Sequence, residues 1–207
     1  MGNNANLINQ TSGKVEYYTP LEWLEPARAV LGTIELDPAS CDLANKNVQA
    51  LRFFTKGDNG LNQPWKAKTL WMNHPFHRGE KACPTNRKKC KKKACRERGY
   101  HIDEDIPSND DWISKLISEF DAGHFKEAII ITFANTSEGW FKKLLGFPQC
   151  FPNKRVHYIK PDGTVDKNCT KGSVITYIGP NLDTFATVFS SFGKIKVAYQ
   201  SQSAKTA

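Results

Sequence analysis

One stretch restricts this chain more than any other: Ala128-Ile129-Ile130-Ile131-Thr132-Phe133-Ala134, which follows Gly123 and carries no charge. A strand with one wet face alternates apolar and polar residues, whereas a short β-branched run that is apolar throughout belongs in a sheet covered on both sides. The rest of the chain supplies the covering layers. Leu21, Leu24, Ala27, Val30 and Leu31 recur at helical spacing over 21–31, with Thr19 as the expected N-cap, Pro20 at the first helical position and Gly32 as the stop. Thr33 to Leu36 reads as a strand, 41–50 as a short helix, and Phe53–Phe54 as an aromatic patch ahead of the GDNG turn at 57–60. TLWMN (69–73) is a second strand ended by Pro75, and 111–122 is an amphipathic helix that turns Trp112, Leu116, Ile117 and Phe120 inward. A helix is expected over 137–145, two strands between Arg155 and Gly179, a helix over 182–191, and a closing strand in KIKVAYQ. This alternation predicts a three-layer α/β fold on a largely parallel sheet with an antiparallel edge. Residues 15–200 are expected to form one domain, with polar tails at 1–14 and 201–207.

The formal net charge is +8, and it is concentrated. Between Arg78 and His101 there are ten Lys and Arg against Glu80 and Glu97, which accounts for the whole excess. Such a block cannot be core, and its natural partner is a polyanion; the plain alternative is a solvated loop. Arg87, Lys88, Lys89, Lys91, Lys92 and Lys93 are the candidate phosphate contacts. No apolar run reaches the length of a membrane span, and the opening residues fit neither a signal peptide nor a myristoylation site, so a cytoplasmic protein is expected.

In that setting the six cysteines are read as thiols, ligands or core residues rather than disulfides. Cys83, Cys90, Cys95 and His101 fall within the basic insertion, 78–110, and suggest a Cys3His zinc site; a loop of free thiols is the other reading. His77 could replace His101 as the fourth ligand. Cys41, Cys150 and Cys169 are scattered.

Asn73-His74-Pro75-Phe76 directly follows the strand TLWM, and ligands in open α/β sheets lie beyond the carboxyl ends of strands. The Asn73 amide oxygen and a backbone carbonyl held by Pro75 can both accept hydrogen bonds from one exocyclic NH2. That pair draws the nitrogen toward tetrahedral geometry and bares its lone pair to an electrophilic methyl. Phe76 offers a face on which an extruded base can stack. By itself the tetrapeptide could equally be a turn with a core Phe.

Four more motifs stand with it: EYYTP (16–20), ELDPAS (35–40), DNGL (58–61) and AIIITFANTSEGWF (128–141), and PWKAKTLWM leads into the tetrapeptide. Together they resemble the phage-type DNA N-6-adenine methyltransferases, the Dam-like family of phages and prophages, over about Glu16 to Val197. The resemblance implies a Rossmann-like class I methyltransferase fold, S-adenosylmethionine as cofactor and DNA as partner. It further implies that Tyr18, Thr19 and Pro20 line the cofactor's methionine end. Asp37 would hold the cofactor's amino group, with Pro38 and Ala39 shaping the turn, and Asp58 would contact its adenosine moiety. Asn73, His74, Pro75 and Phe76 would be catalytic.

Two departures from the family pattern bear on chemistry. Amino methyltransferases generally carry proline where this chain has His74, which could be a substrate contact, a metal ligand or a neutral replacement. The glycine-rich cofactor loop is absent, and only 36 positions separate Asp37 from Asn73. Other readings therefore stand beside the DNA adenine enzyme: a basic zinc-containing nucleic-acid-binding protein on a degenerate scaffold, or a methyltransferase for cytosine N4 or RNA adenine. The polar residues Asn135, Thr136, Ser137 and Glu138, at the carboxyl end of the apolar strand, could line an adenine pocket, with Asn135 or Ser137 equally able to cap a helix, and His157, Tyr158 and loop 160–172 could touch DNA. The sequence leaves the oligomeric state open.

Overall fold

Pro20, with φ −65° and ψ 151°, lies just outside the first helix and sets its direction, so α1 spans Leu21–Leu31. Thr19 is not the cap: its hydroxyl accepts a hydrogen bond from Asn73 instead. The structure is a computed structural model that describes residues 17–199; the expected tails lie outside them. After α1 come β1 (Leu36–Asp37), α2 (Asp42–Val48), β2 (Arg52–Phe53), β3 (Thr69–Met72) and β4 (Arg78–Glu80). They are followed by α3 (Lys93–Arg98), β5 (Ile106–Ser108), α4 (Asn109–Asp121), β6 (Glu127–Phe133) and α5 (Gly139–Lys142). The chain then closes with β7 (Gln149–Pro152), β8 (Ser173–Ile178), α6 (Leu182–Phe189) and β9 (Gly193–Lys196).

Seven of these strands form one mixed sheet in the order β2-β1-β3-β6-β8-β7-β9. β2, β1, β3 and β6 pair in parallel; β8 runs antiparallel to β6 and β7, and β9 antiparallel to β7. Only β8 and β9 therefore oppose the common direction, and the sheet is mostly parallel with an antiparallel side. β4 and β5 form a separate antiparallel ribbon.

Alternation along the strands sorts the core into two layers. Trp71, Ile129, Ile131, Ile175 and Tyr177 face α1 and α6, packing on Trp23, Leu24, Ala27, Phe185 and Phe189. Leu70, Met72, Ala128, Ile130, Val174 and Ile178 face the other way, onto Trp65, Trp112, Ile113, Leu116 and Phe141. Burying each such side chain is worth about 1.5–3 kcal/mol against leaving it in water. That is why β6, apolar on both faces, sits at the centre.

Several expectations are corrected. The inward face of α4 is Trp112, Ile113 and Leu116; Ile117 and Phe120 are only partly covered. The helix also begins earlier than expected, because Ser108 and Asp111 close a reciprocal capping box. The sequence 137–145 holds a helix of four residues. Arg52–Phe53 is a strand rather than part of an aromatic patch, and Gln149–Pro152 is a further strand that no local pattern announced. Residues 155–165 form no ladder; Ile159 instead makes isolated bridges to Tyr18 and Val165.

Candidate functional site

The chain runs from β1 outward to β2 and then returns to place β3 on the other side of β1. Strand order reverses there, and in open α/β sheets such a reversal leaves a crevice beyond the carboxyl ends of the strands. Leu36 is in register with Leu70, so Asp37 at the end of β1 and Asn73 just past β3 reach the same end of the sheet.

The Asp37 side chain is 2% exposed, and Oδ1 accepts from the Ala39 backbone N–H at 3.1 Å. No cation faces it among the described residues, and burial pushes its carboxyl up to about 7. The LDPAS turn is braced from outside: a Cβ on Gly60 would meet the Pro38 carbonyl oxygen at 1.9 Å, so only glycine fits there. Trp65 holds the same glycine by donating Nε1–H to its carbonyl at 2.8 Å. Asp58, in the turn before Gly60, is exposed, and its Oδ2 accepts from the Thr55 backbone N–H and hydroxyl at 2.8 and 2.7 Å. Those bonds hold its carboxyl below the usual range.

Asn73 is oriented by the EYYTP segment. Its Nδ2 donates to the Tyr17 carbonyl at 3.2 Å and to the Thr19 hydroxyl at 3.0 Å. A backbone carbonyl can only accept, so the amide nitrogen must lie on that side and Oδ1 on the other. Oδ1 has no protein donor among the described residues. The segment is itself pinned by the connection after β7, through reciprocal backbone bonds between Tyr18 and Ile159 at 2.7 and 2.9 Å.

His74 is 1% exposed and lies against Trp112, ring centroids 6.1 Å apart, with its Nε2 at 3.1 Å from Asn109 Oδ1. Burial lowers its pKa to about 4, so the ring is neutral; Nδ1 is buried without a partner. It is not among the four residues whose ligand atoms cluster in the insertion. Phe76 packs on Phe133 at 4.3 Å between centroids. Together they form part of an open cavity of about 350 Å³ whose rim includes Asn109, Asn135, Glu138, Trp140 and Lys171. The Lys171 ammonium stands 5.2 Å from the Phe133 ring centroid.

Asn135 thus reaches the cavity, while neither it nor Ser137 caps α5. Tyr158 is a core residue whose hydroxyl meets Ser173 at 3.1 Å, so it is not available to DNA. Glu138, from the polar segment read as a pocket wall, also lines it, and Lys171 lies in the loop read as a DNA contact; Asn109, Phe133 and Trp140 were not foreseen as cavity residues. Of these only Asn109 left a local trace, the Ser108–Asp111 cap that fixes its place at the start of α4.

In the insertion, Cys83, Cys90, Cys95 and His101 bring one ligand atom each to within 4.8 Å of all the others. His77 is elsewhere, with Nδ1 accepting from the Gly79 N–H at 2.9 Å. Of the six candidate phosphate contacts, Arg87 pairs with Asp103, Lys92 with Glu80 and Lys93 with Glu97. Lys88, Lys89 and Lys91 are exposed and carry no ion pair among the described residues.

No helix among the described residues is long and apolar enough to cross a membrane. No protein of curated function and no solved structure is similar enough to count as a match. The family model for DNA N-6-adenine-methyltransferase (Dam) matches residues 9–196, most of the chain and every element around this crevice. The chain belongs to the DNA N-6-adenine-methyltransferase (Dam) family.

Proposed function

We propose that this protein is an S-adenosylmethionine-dependent enzyme of the Rossmann-like class I type that methylates N6 of adenine in DNA. The observation that carries the reading is the tether on Asn73. With Nδ2 committed to Tyr17 and Thr19, Oδ1 is pre-aimed as an acceptor for a substrate amine. The His74 carbonyl, which accepts no backbone hydrogen bond among the described residues, is the second acceptor.

The crevice residues fit the cofactor on chemical grounds. A buried carboxyl with no cation beside it is costly to ionise, and an incoming ammonium removes that cost. Asp37 would hold the amino group of S-adenosylmethionine, with Pro38 and Ala39 shaping the turn beneath it and Tyr18, Thr19 and Pro20 flanking its methionine end. Asp58, on the loop pressed against Pro38, would meet the adenosine moiety. When bound, the cofactor supplies an electrophilic methyl group on a sulfonium.

The protein's own residues position the acceptor. Phe76, backed by Phe133, supplies a stacking face for an extruded base, worth about 1–3 kcal/mol by analogy with single-strand binders. His74 would make a weak base: burial lowers its pKa to about 4, and its Nε2 is engaged with Asn109. No strong base is required, because the amine proton can leave after transfer; orientation supplies most of the rate gain.

A degenerate scaffold would leave a pre-aimed amide and a buried carboxyl without use, which favours the enzyme over a simple binding module. Calorimetric titration with S-adenosylmethionine is expected to give one site per chain; no heat of binding would remove the proposal. Nucleoside mass spectrometry of host DNA after expression should then show N6-methyladenine. N4-methylcytosine, or methyladenine confined to RNA, would reassign the substrate.

A further inference from the structure

Residues 81–105 have almost nothing to fold around. Their apolar content is Ala82, Cys83, Pro84, Cys90, Ala94, Cys95, Tyr100 and Ile102, and none of these belongs to either core cluster. Tyr100 is 43% exposed, yet Cys83 and Cys95 are 8% and 6% exposed. A segment this basic cannot bury enough surface to order itself, and small units of this kind use a staple.

The sulfurs have the geometry of one. Cys90 Sγ lies 3.7 Å from Cys83 Sγ and 3.8 Å from Cys95 Sγ. A tetrahedral ion with metal–sulfur bonds of about 2.3 Å places its sulfurs about 3.8 Å apart. Cys83 and Cys95 are 3.2 Å apart, well beyond the roughly 2 Å of a disulfide. His101 completes four ligands, and the set of three thiolates and an imidazole selects zinc among the common divalent ions.

We propose that Cys83, Cys90, Cys95 and His101 bind a structural zinc ion, and that this ion is the core of a finger forming one wall of the substrate cavity. The finger has a neck, the β4–β5 ribbon, paired Arg78 to Ser108 and Glu80 to Ile106. Glu80 takes both Arg98 nitrogens at 3.0 and 3.2 Å, tying α3 back to the neck. The neck's roots lead into the site. Asn109 donates its backbone N–H to the His77 carbonyl at 2.7 Å, and its side chain faces His74. Arg78, Ser108 and Asn109 all line the cavity beside Phe76. The zinc-closed loop therefore keeps this wall in place and holds Lys88, Lys89 and Lys91 outward, toward phosphates.

The metal assignment is independent of the methyl-transfer reading; the finger's role on DNA rests on it. Elemental analysis of the full chain, purified without chelator, should find one zinc per chain. The cobalt-substituted protein should show the thiolate charge-transfer and tetrahedral ligand-field bands of a Cys3His site. Cys90→Ser should lower zinc occupancy at least ten-fold, whereas Cys41→Ser should not, and His101→Cys should retain metal. Metal-free protein with Cys83, Cys90 and Cys95 all reactive as free thiols, a Cys83–Cys95 disulfide, or iron in place of zinc would each overturn the site. Cys90→Ser should also weaken binding of mixed-sequence duplex DNA by about ten-fold at low salt, as phosphate contacts are lost, while leaving S-adenosylmethionine affinity within two-fold. Unchanged DNA affinity in the zinc-free variant would overturn the wall, even with zinc present in the native protein. Failure of the native chain to bind S-adenosylmethionine would count against the methyltransferase reading and leave the zinc result standing.

Discussion

Asn73 depends on a neighbour that does no chemistry. Asn73→Ala removes an acceptor and should cut methyl transfer by about 10²-fold or more, the scale seen when one preorganised polar group is lost, with cofactor affinity retained. Thr19→Ala removes one of the amide's two tethers and leaves the amide itself. A smaller loss, about ten-fold in kcat with KM for DNA little changed, is expected in steady-state assays. Asp37 and His74 make opposite contributions to stability against pH. Asp37 titrates near 7 folded against an ordinary 3.8, so the native state holds the extra proton between those values and stability falls as pH rises through them. His74 titrates near 4 against 6.5, so the unfolded state holds the extra proton and stability falls as pH drops through that window. Between about pH 4 and 6.5 the two largely cancel. Urea melts of Asp37→Asn should uncover the acid sensitivity left by His74, and should show a gain over the native chain at pH 8. Cofactor affinity in the native chain should climb with pH to a plateau above about 7, and a flat profile there would take Asp37 out of the cofactor site.

Two turns, LDPAS after β1 and DNGL before β3, meet at the crevice. Gly60 and Pro38 are in contact through backbone atoms, which cannot rotate away. Gly60→Ala should therefore displace the LDPAS turn or break its brace. A loss of about 1–3 kcal/mol, the usual cost of overpacking, is expected in thermal melts, with weaker S-adenosylmethionine binding by calorimetry. A melt and an affinity like those of the native chain would mean that the DNGL loop is not a brace. The same contact explains why a chain without a glycine-rich cofactor loop can still shape the crevice: two separate turns press on each other. The misread elements have a local cause as well. β7 carries a proline and a cysteine in four residues and is a strand only because β8 and β9 pair with it on either side. The stretch 155–165 has strand-like residues, but its backbone bridges only to Tyr18 and across its own turn.

Charge acts at the scale of the whole molecule, where ion pairs divide the insertion's cations by role. Lys92, Lys93, Arg87 and Arg98 pair with acids of the same segment, whereas Lys88, Lys89 and Lys91 stay exposed to solvent. Replacing these last three with Ala should weaken DNA binding equally at all sequences. It should also reduce the log–log salt slope by about 2–3, at roughly 0.9 per lost phosphate contact. Replacing Lys92 and Lys93 should change the slope less. A slope unchanged in the first variant would mean that the excess charge is not used on phosphates.

What the sequence determined by itself was whatever rests on short-range pattern. The seven-residue apolar run set the central strand, helical spacing set α1, and Asn-x-Pro-Phe after a strand marked the crevice, because each is written in adjacent residues. The four metal-ligand candidates were equally legible, since their side chains are scarce and closely spaced. Tertiary structure alone decided which partner each polar group meets. Thr19 serves Asn73 from 54 residues away, Asn109 serves His74 from 35, and half of the candidate phosphate contacts meet acids instead. Hydrogen bonds and ion pairs act over a few ångströms of space, and the fold, not the order of residues, sets those distances.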